Sequence, residues 1–389
     1  MSIIIKVIDS NEAFKDLETE WNKLYNDCAR ATIFSSWDWM YTWWEVFSQS
    51  THSNLFILCV YDNQQLIGIA PFHICNAFPK SIIQGKTLYF IGSGEDIKDK
   101  IVSQYSDFIV TDEHQETMIS SVSSYLEANK NKWDFADFQF LLEHSLVSRC
   151  FSETNASIIT QLSVYGNRYF INEMDNFEFF LDKTGNRWRK MYAKKSRKLS
   201  NDGDSSISQN TDVASSLESY QQLIDMHKAR WENRTDHNIF ASELFNEFHI
   251  KLLERLVPKD KAYIKTLSLN DEPLASYYCF IDKSQLHYYQ SGFYSKHANR
   301  YSPLFLLIYE EISQSINQNV LFDFMFDESP SSYKKEQYAA KSEPMYHLIW
   351  STKKSRLSRY KFAKTVQTKY INYKKQIADV KNKYKTLKK

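Results

Sequence analysis

A chain of 389 residues, 43% hydrophobic, is long enough to bury two cores. Its net charge of +1 hides a division: residues 351–389 hold 14 lysines and arginines against one acid, Asp379, leaving 34 bases and 46 acids in residues 1–350. Cys28, Cys59, Cys75, Cys150 and Cys279 are scattered without C-x-x-C spacing, there is no H-E-x-x-H, and only eight glycines leave no dinucleotide or phosphate-loop fingerprint, so reduced core cysteines, no metal and no nucleotide fold are expected.

The start shows no leader pattern, and no stretch approaches the roughly 18 apolar residues of a membrane span, so the expected setting is cytoplasmic. IIIKVI (3–8) reads as a strand, and Phe14, Leu17, Trp21 and Leu24 recur at helical spacing. FSSWDWMYTWWEVF (34–47) follows, with four tryptophans in eight positions; capped by Ser35 or Ser36 it is a helix apolar on nearly every side, fit for a core or for lining a groove. LFILCVYD and LIGIAPFHI (55–74) form a hairpin, TLYFIG (87–92), SDFIV (106–110) and FADFQFL (135–141) add short strands, and a helix from about Glu113 to Asn129 lies between the last two.

The second half repeats this grammar. FEFFLD (177–182) reads as a strand leading into the basic helix NRWRKMYAKKSRKLS, the polar loop NDGDSSISQNTD, and helices around LIDMHKARW and LFNEFHIKLLERL. Residues 262–294 form a three-stranded meander, and Ser302-Pro303 is an N-cap followed by proline at the first helical position. VLFDFMF (320–326), a short helix near SSYKKEQYAA and the strand MYHLIW (345–350) complete the unit. The fold class is mixed α/β, with domains at 1–175 and 176–350 and a basic tail at 351–389. In that tail Val366, Tyr370, Tyr373, Ile377, Val380, Tyr384 and Leu387 are spaced 4-3-4-3-4-3, a heptad seam.

The order of FSSWDWMYTWW, VYDNQQLIGIAPFHI, YSDFIV, HKARW, PLASYYCF, YYQSGFY…YSPLFLL and FDF…SYKKEQY resembles the GNAT-superfamily acetyltransferase-like proteins of cellulose and exopolysaccharide biosynthesis, which are similar to the Fem-type tandem-GNAT transferases. The resemblance covers about residues 10–350. It implies two tandem GNAT-like domains, acetyl-CoA or another acyl-CoA as co-substrate, and a small-molecule or lipid-linked sugar as acceptor. It also implies that the helix opening at Ser302 faces the pyrophosphate, making Tyr301, Ser302 and Leu304 the cofactor-binding candidates; free N–H groups and the helix dipole there favour an anion.

Acyl transfer needs a proton acceptor and groups that stabilise the oxyanion and the departing thiolate. Asp323, set between Phe322 and Phe324 on a strand, points opposite to both aromatics and is the candidate base. Tyr333 is the candidate proton donor to the thiolate, and Lys334 the candidate to polarise a carbonyl or bind an anionic sugar. His227, Arg230 and Trp231, at i, i+3 and i+4 on one helix, are acceptor-binding candidates together with Tyr289. Each has a structural alternative: a salt-bridged aspartate, a solvated helix start, a core histidine.

The basic tail is expected to be helical and to serve attachment to the acidic body, a partner protein or the inner face of an anionic membrane, with nucleic acid the rival. Two other functions stay open. One is a non-catalytic assembly or regulatory subunit of a polysaccharide system, since the family's usual glycine before Y-K is replaced here by Met-Phe-Asp-Glu-Ser-Pro. The other is a Fem-like aminoacyl-tRNA-dependent transferase.

Overall fold

A computed structural model describes residues 2–77, 85–153, 159–172, 174–231, 239–328 and 332–351, with Ser358, Phe362 and Thr365. The heptad seam of the tail lies outside the described residues. These residues form two units: one from those up to Tyr165 and from Met345 onward, the other from those between Gly166 and Pro344.

The first unit contains β1 (Ile3–Ile8), α1 (Asn11–Asp16), α2 (Glu18–Asp27), α3 (Trp37–Phe47), β2 (Asn54–Asp62), β3 (Gln65–Ala77), β4 (Gly85–Phe90), β5 (Ile109–Val110), α4 (Gln115–Ala128), β6 (Phe135–Leu142) and α5 (Leu146–Glu153). Strands β1 to β4 form an antiparallel run, and β4 then pairs in parallel with β6. Helix α3 is capped by Ser36, whose hydroxyl accepts from the Trp39 N–H at 3.2 Å. Trp39 and Trp43 are wholly buried, and Trp37 and Trp44 nearly so. Each indole N–H has an acceptor: Ser103 Oγ for Trp39, Glu95 Oε2 for Trp43, Asn11 Oδ1 for Trp44 and the Phe14 carbonyl for Trp37. The helix is therefore packed on nearly every side, with Glu45 left exposed, which is how so many indoles can be buried without stranding a donor.

Only Ile109 and Val110 of the expected 106–110 strand pair with β3. The Asp107 carboxylate accepts instead from the Leu146 and Val147 N–H groups at 2.8 and 2.9 Å, so it caps α5, and that side-chain bond competes with the ladder.

The chain enters the second unit along β7 (Ile159–Ile171), which is followed by α6 (Phe177–Asp202), β8 (Ser205–Gln209), α7 (Val213–Trp231), α8 (Glu243–Leu256), β9 (Ala262–Leu269), β10 (Glu272–Asp282), β11 (Gln285–Phe293), α9 (Ser295–Tyr301), α10 (Pro303–Asn317), β12 (Leu321–Asp327) and α11 (Tyr333–Tyr338). It leaves along β13 (Lys341–Ser351). Strands β8 to β11 form an antiparallel run, β11 and β12 pair in parallel, and β12 pairs antiparallel with β7. The two units thus share a plan: an antiparallel meander, one parallel pair, and an antiparallel closing strand.

The hydropathy pattern put the division near 175 and gave 345–350 to the second half. By contacts it falls at Tyr165/Gly166, because Met345–Ser351 pairs with β6 and Trp350 packs on Trp133 and Phe151 in the first core. Two local expectations are corrected. FEFFLD is the first part of α6, not a strand: Asn176 Oδ1 caps it through the Phe179 N–H at 2.9 Å, and Phe177, Phe180, Leu181 and Thr184 follow helical spacing. Gly185, at φ 79°, breaks that helix before its basic part. The loop NDGDSSISQNTD contains β8, an exposed edge strand on β9.

Candidate active site: a parallel pair that parts

In the second unit the ladder between β11 and β12 joins three residue pairs among the described residues, ending at His287 with Asp323. Both strands continue, β11 to Phe293 and β12 to Asp327, without further pairing to each other. The cause is a bulge on each strand immediately past the last pair. On β11 the register against β10 passes from Cys279 with Tyr288 to Tyr278 with Gln290, leaving Tyr289 as the extra residue. On β12 it passes from Asp323 with Phe170 to Met325 with Tyr169, leaving Phe324 extra, and Met325 has φ 64°. Bulges bend and twist the strands that carry them, so two at one level turn a parallel pair into a cleft between unpaired edges. Such edges can bond an extended, amide-bearing ligand.

Asp323 sits at the fork, fully buried. Its Oδ1 accepts from the Met325 N–H at 2.7 Å, which fastens the bulge. Its Oδ2 accepts from Arg168 Nε at 3.1 Å and His287 Nδ1 at 3.2 Å, and Arg168 Nη1 also bonds Glu343 Oε1 at 2.8 Å. Burial opposes ionisation of the carboxyl, but the Arg168 charge, His287 and the Met325 N–H outweigh it and hold Asp323 below the ordinary carboxylate range. It is a buried anion whose oxygens accept from Arg168, His287 and the Met325 N–H.

At the end of β11 the chain turns through α9 into α10. Proline at the first helical position of α10 is as expected, but Ser302 does not cap by its side chain. It adopts a left-handed conformation (φ 51°, ψ 55°), and its hydroxyl donates back to the Ala298 carbonyl at 3.3 Å. Ser302 closes α9 with its own N–H on Ala298 and, among the described residues, leaves the first-turn N–H groups of α10 without a side-chain acceptor. That is the electrostatic arrangement an anion needs. Tyr301 is buried, with its hydroxyl on Asp202 at 2.8 Å, in a cluster with Arg300 and Lys198. Leu304 is half-buried against the second core.

Tyr333 is 58% exposed, its ring beside Tyr338. Lys334 is buried, with Nζ 3.4 Å from both the Phe324 carbonyl and Asp327 Oδ2; burial pushes its ammonium down, and Asp327 opposes this. Its ammonium thus bonds the carbonyl of the bulged residue of β12, next to the Met325 N–H that Asp323 accepts. His227 is half-buried on α7 with its ring 4.9 Å from Phe240. The side chains of Arg230 and Trp231 lie outside the described residues. Tyr289, the bulged residue of β11, packs on His249 and Phe280 at 5.0 and 5.2 Å. The structure therefore gathers Asp323 and Lys334 at the fork, with Tyr289 on β11 beside it, and sets Tyr301 into an ion cluster.

Arg168 and His287 were not singled out from sequence. β7 has no clean alternation, and nothing local in NRYFI says that its arginine meets an aspartate 155 residues on. His287 lies directly opposite Asp323 in a parallel ladder, a register that becomes visible only once the pairing is known.

Among the described residues no group of three or more His, Cys, Asp or Glu side chains is arranged to hold a metal ion, and no helix is long and apolar enough to cross a membrane. Residues 186–335 match the family model described as an acetyltransferase (GNAT) domain. No curated protein matches the sequence. Among solved structures the fold is similar to FemX, at 10% identity and a TM-score of 0.59 over 90% of this chain and 97% of that one. It is also similar to the C-terminal domain (DUF2156) of a putative lysylphosphatidylglycerol synthetase from Agrobacterium fabrum, at 10% identity and a TM-score of 0.52 over 91% and 96%. The match from 186 to 335 spans both the fork and α10, so the segment that carries the cleft is similar to a GNAT acetyltransferase domain.

Proposed function

We propose that the protein is an acyltransferase that takes an acyl group from acyl-CoA, acetyl-CoA in the first instance, and delivers it to an amine or hydroxyl of a sugar or lipid-linked precursor of a surface polysaccharide. One observation carries the acyl-transfer part: the double-bulged fork between β11 and β12, next to the open N-terminus of α10. The unpaired strand edges fit the amide-bearing arm of the donor, and the first-turn N–H groups of α10 fit its pyrophosphate. Acyl-CoA supplies the activated thioester; the chain's own residues orient it and manage the proton. In this reading the Asp323–His287 pair at the fork takes the proton of the attacking group, with Asp323 holding the imidazole. The polysaccharide acceptor rests on the ordered sequence signatures. The first unit would contribute support: its own parallel pair is filled, with Phe138 against Phe90 at 4.8 Å.

A thiol-release assay tests this, using acetyl-CoA with amino-sugar and lipid-linked sugar acceptors. Acceptor-dependent release of free CoA, insensitive to ribonuclease, is expected. No release with any acceptor would favour a non-catalytic assembly subunit, and activity that requires charged tRNA would favour the Fem-like reading.

A further inference from the structure

The part of α6 that follows Gly185 is basic and faces away from its own unit. Trp188, Tyr192, Lys195 and Leu199 lie on its inner side: Trp188 on Phe305, Tyr192 bonded to Glu310, Lys195 bonded to the Asn299 and Arg300 carbonyls. At 100° per residue the opposite side carries Arg187, Arg189, Lys190, Ala193, Lys194, Arg197 and Lys198, all exposed. Six of these seven are basic, and no acid occurs from 183 to 201. Arg189 is neutralised by Glu178 and Asp182, and Lys198 by Asp202. Arg187, Lys190, Lys194 and Arg197 have no carboxylate partner among the described residues. Their i, i+3, i+7, i+10 spacing makes one stripe about 15 Å long at 1.5 Å per residue.

Four unneutralised charges in one line are out of keeping with residues 1–350, where acids exceed bases by 46 to 34. We propose that this stripe is a docking surface for an anionic lipid bilayer. The occupant follows from shape and chemistry. The stripe is the outer side of a helix whose inner side is packed, so it presents a flat row of charges with no enclosing groove. It also lacks the aromatic platform that single-stranded nucleic acid requires, because Trp188 is turned onto Phe305 and its face is taken by Arg187 at 4.7 Å. Charge holds it: the Ala193 methyl is the one apolar side chain among the seven on this face, so the contact is peripheral and salt-sensitive. The inference concerns the surface of α6 and stands independently of the acyl-transfer reading.

The test is co-sedimentation of the full chain with vesicles of 30% phosphatidylglycerol in phosphatidylcholine, against pure phosphatidylcholine, at about 0.1 M and 1 M salt. Binding is expected only to the anionic vesicles and only at the lower salt. Because each base near an anionic surface contributes roughly fivefold to the partition constant, R187Q/K190Q/K194Q/R197Q should bind several hundredfold more weakly. Its melting temperature should be unchanged, since all four side chains are exposed. Should the quadruple variant not fold, R187Q/K190Q and K194Q/R197Q separately should each cost about thirtyfold. Undiminished binding of the variants would show that the 351–389 tail, not α6, meets the membrane, and would overturn the proposal. So would failure of the wild-type chain to bind anionic vesicles, or tight binding of an oligonucleotide in their place.

Discussion

Replacing Asp323 by asparagine keeps the shape of the side chain and removes its charge from a fully buried site. The loss falls on Arg168, which is left with Glu343 at 2.8 Å as its remaining carboxylate, and on His287, which loses an ionic acceptor at 3.2 Å. Removing one member of a buried ion pair costs about 3–5 kcal/mol. Because Glu343 still pairs with Arg168 and the amide oxygen still accepts one bond, the expected loss is at the lower end, about 3 kcal/mol. The assay is equilibrium urea unfolding at pH 7, followed by circular dichroism and tryptophan fluorescence so that the transitions of the two units can be separated. The folded carboxyl titrates below its unfolded value of about 4, so the stabilisation is present above pH 4 and is lost as pH falls through the folded value. The gap between wild type and Asp323→Asn should accordingly hold from pH 7 to about pH 4 and close below it. A gap under about 1 kcal/mol at pH 7, or one that does not depend on acid, would refute the claim that this ion pair fastens the fork.

Three other substitutions probe the same unit. An added methyl at Gly292 would meet Met226 Cβ at 2.9 Å and Leu223 at 3.1 Å, so Gly292→Ala should lower stability by about 1–3 kcal/mol in thermal unfolding, unless α7 moves freely off β11. Glu311, buried on α10, accepts from Lys265 Nζ at 2.5 Å, from Tyr263 at 2.7 Å and from Tyr277; Glu311→Leu should be more damaging than the double variant Lys265→Met/Glu311→Leu, and a double-mutant cycle that shows simple additivity would contradict this. His249 is fully buried on α8 with neither ring nitrogen bonded among the described residues, and burial pushes its imidazole down to about 3. Below an unfolded value of about 6.5 the unfolded chain takes up a proton that the native one does not, so stability should fall between pH 6.5 and 4 by up to ~1.4 kcal/mol per unit from this group. His249→Phe should flatten that slope in melting temperatures measured against pH, and an unchanged slope would mean that the imidazole is protonated in the native state.

Much of the architecture was legible because it rests on local signals. The tryptophan helix has its serine cap, the 262–294 meander has polar turns at Asn270–Asp271 and Lys283–Ser284, and Pro303 opens α10. Period was misjudged once, at FEFFLD, where Phe177, Phe180 and Leu181 obey 3.6-residue spacing as well as a strand pattern. The fork was not legible. Its bulges are properties of register between β10 and β11 and between β7 and β12, and neither Tyr289 nor Phe324 is, or adjoins, a glycine or proline that would announce them. Asp323 was visible as an acid between aromatics, but the partners that decide its state, Arg168 and His287, come from two other strands. Ser302 shows the opposite failure: the residue type suits a cap, while its left-handed backbone turns the hydroxyl away from α10.

The central claim is that the fork and the open end of α10 together bind an acyl-CoA. Amide hydrogen exchange of the full chain with and without millimolar acetyl-CoA tests it most directly, because it reports both whether the donor binds and where. The account predicts slowed exchange confined to Tyr288–Phe293, Leu304–Leu307 and Phe324–Asp327, the unpaired edges and the first turn of the helix. No protection at millimolar donor, or protection in the first unit alone, would contradict it.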